Sequence, residues 1–120
     1  MSKFLSLFPM PDAIQNESGV ASLNTRLNWG EPALTIIDVR DREAFNKGHI
    51  MGAIAMPIHE LVGRAQASLE LSRDIYVYGD NAKETADAAK QLRQAGYQYI
   101  AELVGGLSAW RAARYPVEGI

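Results

Sequence analysis

The residues able to do chemistry in this chain of 120 are few, and the most nucleophilic type is missing, because there is no cysteine. That absence excludes disulfides, thiolate metal sites, iron–sulfur ligation and any cysteine mechanism carried within the chain. His49 and His59 are the histidines. Neither belongs to an H-x-x-H or H-E-x-x-H spacing, so no metal site is expected. His49, inside Gly48-His49-Ile50, is expected to be a structural histidine, and His59 to face solvent near a helix start. Among the acids, Asp80 follows an apolar run where a helix should begin, a place for a carboxylate nucleophile. An acyl-phosphate site also needs a metal-binding acidic cluster and a phosphate-binding Lys, Ser or Thr, and only fragments of that set occur. Asp80 and Asn81 therefore read as helix caps that accept from unpaired N–H groups. Gly105-Gly106 is not a nucleotide loop, since G-x-G-x-x-G is absent.

The elements that must hold these residues follow from hydrophobic pattern and punctuation. Residues 1–17 read as an arm broken by Pro9 and Pro11, and residues 18–120 as one domain. A short helix is expected from Val20 to Leu27 with Ser18 as its cap. Leu34-Thr35-Ile36-Ile37-Asp38-Val39 is β-branched and apolar on both faces, as in a central parallel strand. Arg42 to Lys47 predicts a helix ended by Gly48, and Ala53 to Met56 a small strand stopped by Pro57. His59 to about Leu69 has helical spacing, and Ile75-Tyr76-Val77-Tyr78 is a second buried strand. A helix is predicted over Thr85 to Ala95 with Ala88, Ala89, Leu92 and Ala95 inward. Tyr99 to Leu103 is a last strand, followed by a helix around Leu107 to Arg114. The alternation of strand and helix predicts an α/β domain, with a mostly parallel sheet of four or five strands flanked by helices.

Composition agrees with a soluble globular domain, at 48% hydrophobic and 22% charged residues with a net charge of −2. No basic stripe points to nucleic acid, and no stretch has membrane-spanning length. A cytoplasmic location is the expectation. The apolar residues Phe4, Leu5, Leu7 and Phe8 are expected to pack on the domain or on a partner.

Three segments then line up. Asp38-Val39-Arg40 is followed by Glu43-Ala44-Phe45, by Gly48-His49-Ile50-Met51-Gly52-Ala53 and by Met56-Pro57. Ile75-Tyr76-Val77-Tyr78 leads into a loop and helix, and Leu103-Val104-Gly105-Gly106-Leu107-Ser108-Ala109-Trp110 precedes Pro116-Val117-Glu118. Together these resemble the single-domain rhodanese-like (sulfurtransferase) family. In that family a cysteine after the central strand carries a persulfide, in a loop where backbone N–H groups and a helix dipole favour a thiolate. Aligned on Val77-Tyr78, the cysteine position is Gly79, the family's loop glycine is Ala82, and its Ser/Thr is Thr85. Where active members commonly carry Arg or Lys, this loop sets Asp80 and Glu84 against Lys83.

The resemblance thus implies a degenerate active-site loop, Gly79-Asp80-Asn81-Ala82-Lys83-Glu84-Thr85, with no catalytic residue and no cofactor. Asp38, Arg40, Glu43 and His49 are expected to be structural neighbours of it, with Arg40 pairing with Glu43, and Asp38 bonding to the loop or to His49. Glu84, Lys83, Asp87 and Lys90 are expected on a solvated helix face, and Trp110 in the core. The leading expectation is a catalytically inactive module that engages an unknown protein partner. A cysteine supplied in trans and a small-ligand site in an emptied loop are the alternatives. The oligomeric state is open.

Overall fold

The computed structural model describes residues 14–30 and 33–119. The elements are β1 (Glu17–Ser18), α1 (Val20–Asn28), β2 (Leu34–Asp38), α2 (Arg42–Lys47), β3 (His49–Ile50), β4 (Ile54–Ala55) and α3 (Leu61–Ser68). β5 (Asp74–Tyr78), α4 (Ala82–Gln94), β6 (Ile100–Leu103), α5 (Gly106–Ala112) and β7 (Val117–Glu118) complete the chain. Five strands form one sheet in the order β1-β6-β5-β2-β4, and every pairing in it is parallel. The mostly parallel sheet expected from the alternation is therefore present. β3 and β7 pair antiparallel in a small second sheet that the sequence did not suggest.

Alternation along each strand sends side chains to two helical layers. Ile37, Ile75, Val77 and Ile100 meet Leu61 and Ala65 of α3 and Ala88, Ala89 and Leu92 of α4. Ile36, Tyr76, Tyr78, Ala101 and Leu103 face the other way, onto Leu23 of α1 and Trp110 of α5. β2 and β5 sit in the interior of the sheet, which is why both read as continuous apolar runs. Tyr76, Tyr78 and Tyr97 are buried as packing residues, whereas Tyr99 is 40% exposed.

Several local expectations shift. Ser18 does not cap α1: it lies in β1, its hydroxyl donates to the Gly19 carbonyl, and the N-cap position is Gly19. Glu17, placed in the arm, pairs with Glu102 at the sheet edge, while residues 1–13, including Phe4 to Phe8, lie outside the described residues. The helix expected from His59 begins at Leu61, and His59 is solvent-facing as anticipated.

Glu60 at that helix start ties α3 to α2. Its carboxylate accepts from both ends of the Arg42 guanidinium at 2.8 and 2.9 Å and from Arg64 Nε at 2.8 Å. The hydrogen bonds from Arg42 and then Arg64 pull its pKa from 4.5 down to about 2. A carboxyl held below its unfolded value adds stability above that unfolded value and loses it as pH falls through the folded one. The urea midpoint of wild type should exceed that of Glu60→Gln at pH 7, and the gap should close as pH falls from about 4.5 to about 2. A gap that persists unchanged at the acid end would show that this carboxylate's charge is not its source.

Candidate functional site

The sheet order places a natural crevice. β2 connects toward β4 on one side, while β5 connects through α4 toward β6 on the other. Ligand crevices of open α/β sheets lie at such a switch point, beyond the carboxyl ends of the strands. Arg40 follows β2 there and Gly79 follows β5, and both line a cleft of about 320 Å³.

Asp38 ends β2 fully buried, and Arg40 folds back over it. Nε donates to Oδ1 at 3.0 Å and Nη2 to Oδ2 at 2.7 Å, while the Arg40 backbone N–H also donates to Oδ1 at 3.0 Å. Nη2 reaches the Gly48 carbonyl as well, at 2.6 Å, tying the end of α2 to β2. Burial is the largest influence and opposes the guanidinium charge. The hydrogen bond and charge of Asp38, with smaller contributions from Tyr78 and Asp80, together outweigh it and hold Arg40 above its ordinary value. Tyr78 lies beneath the pair: burial first, then the Asp38 carboxylate, push its hydroxyl far up, and it accepts from the Ile50 N–H at 3.1 Å.

The expected Arg40–Glu43 pair does not form. Asp41 caps α2 by accepting from the Ala44 N–H at 2.8 Å, and the resulting helix turns Glu43 to solvent, where Lys47 meets it at 3.4 Å. His49 is not Asp38's partner either. Its ring stacks on Phe45 at 3.7 Å, Nδ1 lies 2.8 Å from the Phe45 carbonyl, and Nε2 is 3.5 Å from Glu118. His49 thus links α2 to β7 through contacts other than the expected one. Asp38 does bond to the chain that follows it, through the Arg40 N–H.

The loop after β5 is closed by its own side chains. The buried Gly79 donates its N–H to Thr85 Oγ1 at 2.9 Å, and that hydroxyl donates to the Asn81 carbonyl at 3.0 Å. Asn81 accepts from the Glu84 N–H at 2.8 Å, so it is the N-cap and α4 starts at Ala82, a turn before the predicted Thr85. Asp80 does not cap; its backbone N–H donates to Glu84 Oε1 at 2.7 Å. Lys83 pairs with Asp87 at 3.1 Å in solvent, as expected of that face, but Glu84 leaves the face and is half-buried over the loop. A Cβ added to Gly79 would stand 2.5 Å from Glu84 Oε1 and 2.8 Å from its Cγ. The room that a side chain on residue 79 would take is therefore filled by this carboxylate, while the neighbouring cleft stays open.

The opposite wall was not anticipated. It combines Glu17 and Glu102, in register on adjacent strands, with Val104 in the turn before α5 and Leu107 at the start of that helix. Like charges side by side repel; Arg93 Nη1, 3.8 Å from Glu102 Oε2, offsets part of this. Gly105 allows the sharp entry into α5: its φ is +79°, and a Cβ there would lie 2.5 Å from Ala109 Cβ. Among the described residues no group of three His, Cys, Asp or Glu side chains could hold a metal ion.

Comparison with known proteins agrees with this architecture. The family model described as "Rhodanese-like domain" matches residues 20–113. The HTH-type transcriptional regulator Rv0324 of Mycobacterium tuberculosis is 40% identical over 100 residues, 82% of this chain and 42% of the regulator, so the chain spans less than half of that relative. The thiosulfate sulfurtransferase GlpE of Shewanella oneidensis is 32% identical over 84 residues, 68% of this chain and 79% of GlpE. The crystal structure of the Alr3790 protein from Anabaena sp. superposes with a TM-score of 0.84 at 58% identity, covering 86% of this chain and 92% of that one. The chain belongs to the rhodanese-like domain family and lacks that family's active-site cysteine.

Proposed function

We propose that this chain is a catalytically inactive rhodanese-like domain that works by engaging another protein through the cleft beside Gly79. Gly79 carries the reading: the position that holds sulfur in active members has no side chain, and no other residue of the chain is a cysteine. Charge supports it. Glu17, Asp80 and Glu102 line the cleft, while Arg40, the one basic residue among the described residues lining it, is spent on Asp38. Thiosulfate, a dianion, would meet that negative field. Val104, 54% exposed beside Leu107, gives the mouth an apolar surface suited to a protein contact. The match to part of a named transcriptional regulator supports use of such a domain as a module within larger proteins. We place the domain in the cytoplasm on the same reading; no helix among the described residues is long and apolar enough to cross a membrane.

A thiol supplied in trans is the poorer reading, because Glu84 already fills the space beside Gly79 that an incoming sulfur would need. A small-anion site in the loop is poorer for the same reason.

Two measurements test the proposal. Protein from a host without its own rhodaneses should transfer no sulfur from thiosulfate to cyanide above a blank. Transfer that co-purifies with the chain would overturn the inactive reading. Affinity capture with wild type and Val104→Glu should yield a partner held by the first and lost by the second. Identical captures would remove the cleft as the contact.

A further inference from the structure

Glu84 is out of character for its place in α4. Its neighbour Lys83 pairs with Asp87 in solvent, whereas the Glu84 side chain folds back across the helix start and is half-buried. Its Oε1 takes the Asp80 N–H, and the Glu84 N–H is itself fixed by Asn81 Oδ1. The carboxylate end of the side chain stands where any side chain on residue 79 would begin, with Oε1, Cγ and Cδ at 2.5, 2.8 and 3.0 Å from that point. Two further loop donors are also engaged: the Gly79 N–H by Thr85 Oγ1, and the Thr85 N–H by the Asn81 carbonyl.

We infer that Glu84 is the internal anion of this loop, and that Gly79 and Glu84 form one interlocked lock that closes it to anionic guests and to a reactive side chain at position 79. Glycine at 79 leaves the room that Glu84 occupies, and Glu84 takes one of the backbone donors, the Asp80 N–H, that a thiolate or an oxyanion would use. The helix dipole favours a negative group at this spot, and the protein supplies its own. The loop thus resists chemistry through two residues rather than one. Restoring a nucleophile at 79 alone sets it against a carboxylate in contact, which disfavours its charged form. This inference concerns the loop alone and stands whether or not the cleft holds a partner.

The test compares Gly79→Cys with Gly79→Cys/Glu84→Ala, reading the thiol pKa from the pH dependence of alkylation. The single variant should titrate at or above the free-cysteine value of about 8.5. In the double variant the pKa should fall by about one unit or more, a tenfold gain in thiolate on the acid side of the titration. Equal pKa values in the two proteins would overturn the interlock. A second reading avoids any change at 79. Amide NMR of the full chain titrated with sodium thiosulfate at constant ionic strength should show a saturable shift at Asp80 in Glu84→Ala and none in wild type. Saturable binding by wild type, or its absence in Glu84→Ala, would show that Glu84 is not what closes the loop.

Discussion

Replacing Asp38 by alanine should cost the domain about 3–5 kcal/mol of stability, the penalty for leaving a buried charge without its partner. The Arg40 side chain is only 10% exposed and Asp38 is not exposed at all. Without Asp38, the Arg40 guanidinium would keep one strong acceptor, the Gly48 carbonyl at 2.6 Å, against the two carboxylate oxygens it loses. The Arg40 backbone N–H would lose its acceptor as well. Asp38→Asn keeps the shape and some of the bonds but removes the charge, so its cost should be intermediate. The diagnostic variant is the double replacement Asp38→Leu/Arg40→Met. When both members of a buried pair become apolar, no orphan charge remains, and the loss should be far smaller than for Asp38→Ala. Urea midpoints with unchanged m values measure all three. A double variant as unstable as Asp38→Ala itself would mean that the pair's net attraction, not orphan desolvation, sets the cost.

That pair shows how far the sequence could be read. The ends of β2 and β5 were legible because Leu34 to Asp38 and Ile75 to Tyr78 are apolar on both faces, which only a covered parallel sheet explains. The inward stripe of α4 was legible for the same reason, and Ala88, Ala89 and Leu92 are indeed buried. The family resemblance, aligned on Val77-Tyr78, implies Gly79 at the cysteine position, and that alignment needs no knowledge of the loop's geometry.

Partnerships set by local geometry were harder. Glu43 is three residues from Arg40, a spacing that invites a pair, yet the Asp41 cap decides which way Glu43 faces. Glu84 carried a signal that was passed over: Asn81 followed three residues later by Glu84 is the pattern of a capping box, in which the acid reaches back to a backbone N–H. Here it reaches one residue further back, to Asp80, and so enters the loop. The strands β1, β3 and β7 contain two residues each, too short for any alternation to register. The acidic wall of the cleft depends on β1 pairing with β6, a contact between Glu17 and Glu102 that no local pattern encodes.

Trp110→Ala should be comparably severe, about 3–5 kcal/mol, as for removal of a large aromatic from a packed core. Trp110 is 1% exposed on the inner face of α5 and belongs to the layer holding Leu23, Tyr78 and Leu103. Its indole N–H donates to the Pro116 carbonyl at 2.7 Å, and its ring meets Tyr115 edge-on at 4.9 Å. Through these contacts it fixes both ends of the final segment. Trp110→Phe separates volume from bonding. It gives up the indole donor, but the Pro116 carbonyl still accepts from the Met51 N–H at 3.1 Å, so no buried acceptor is orphaned and the cost should be well below that of alanine. Far-UV circular dichroism must follow the unfolding, because Trp29 is 75% exposed and Trp110 is the buried indole whose fluorescence the substitution removes. The effect should reach the cleft too. Leu107 lies less than one turn before Trp110 on α5, and Gly106 packs 3.6 Å from the Gly79 carbonyl as measured from an added Cβ. A loosened α5 therefore shifts the apolar half of the cleft mouth while leaving the Gly79–Glu84 lock on α4 in place. In Trp110→Phe, partner capture should weaken while the Asp80 amide keeps its wild-type chemical shift. Loss of both together would mean that the two walls of the cleft move as one body.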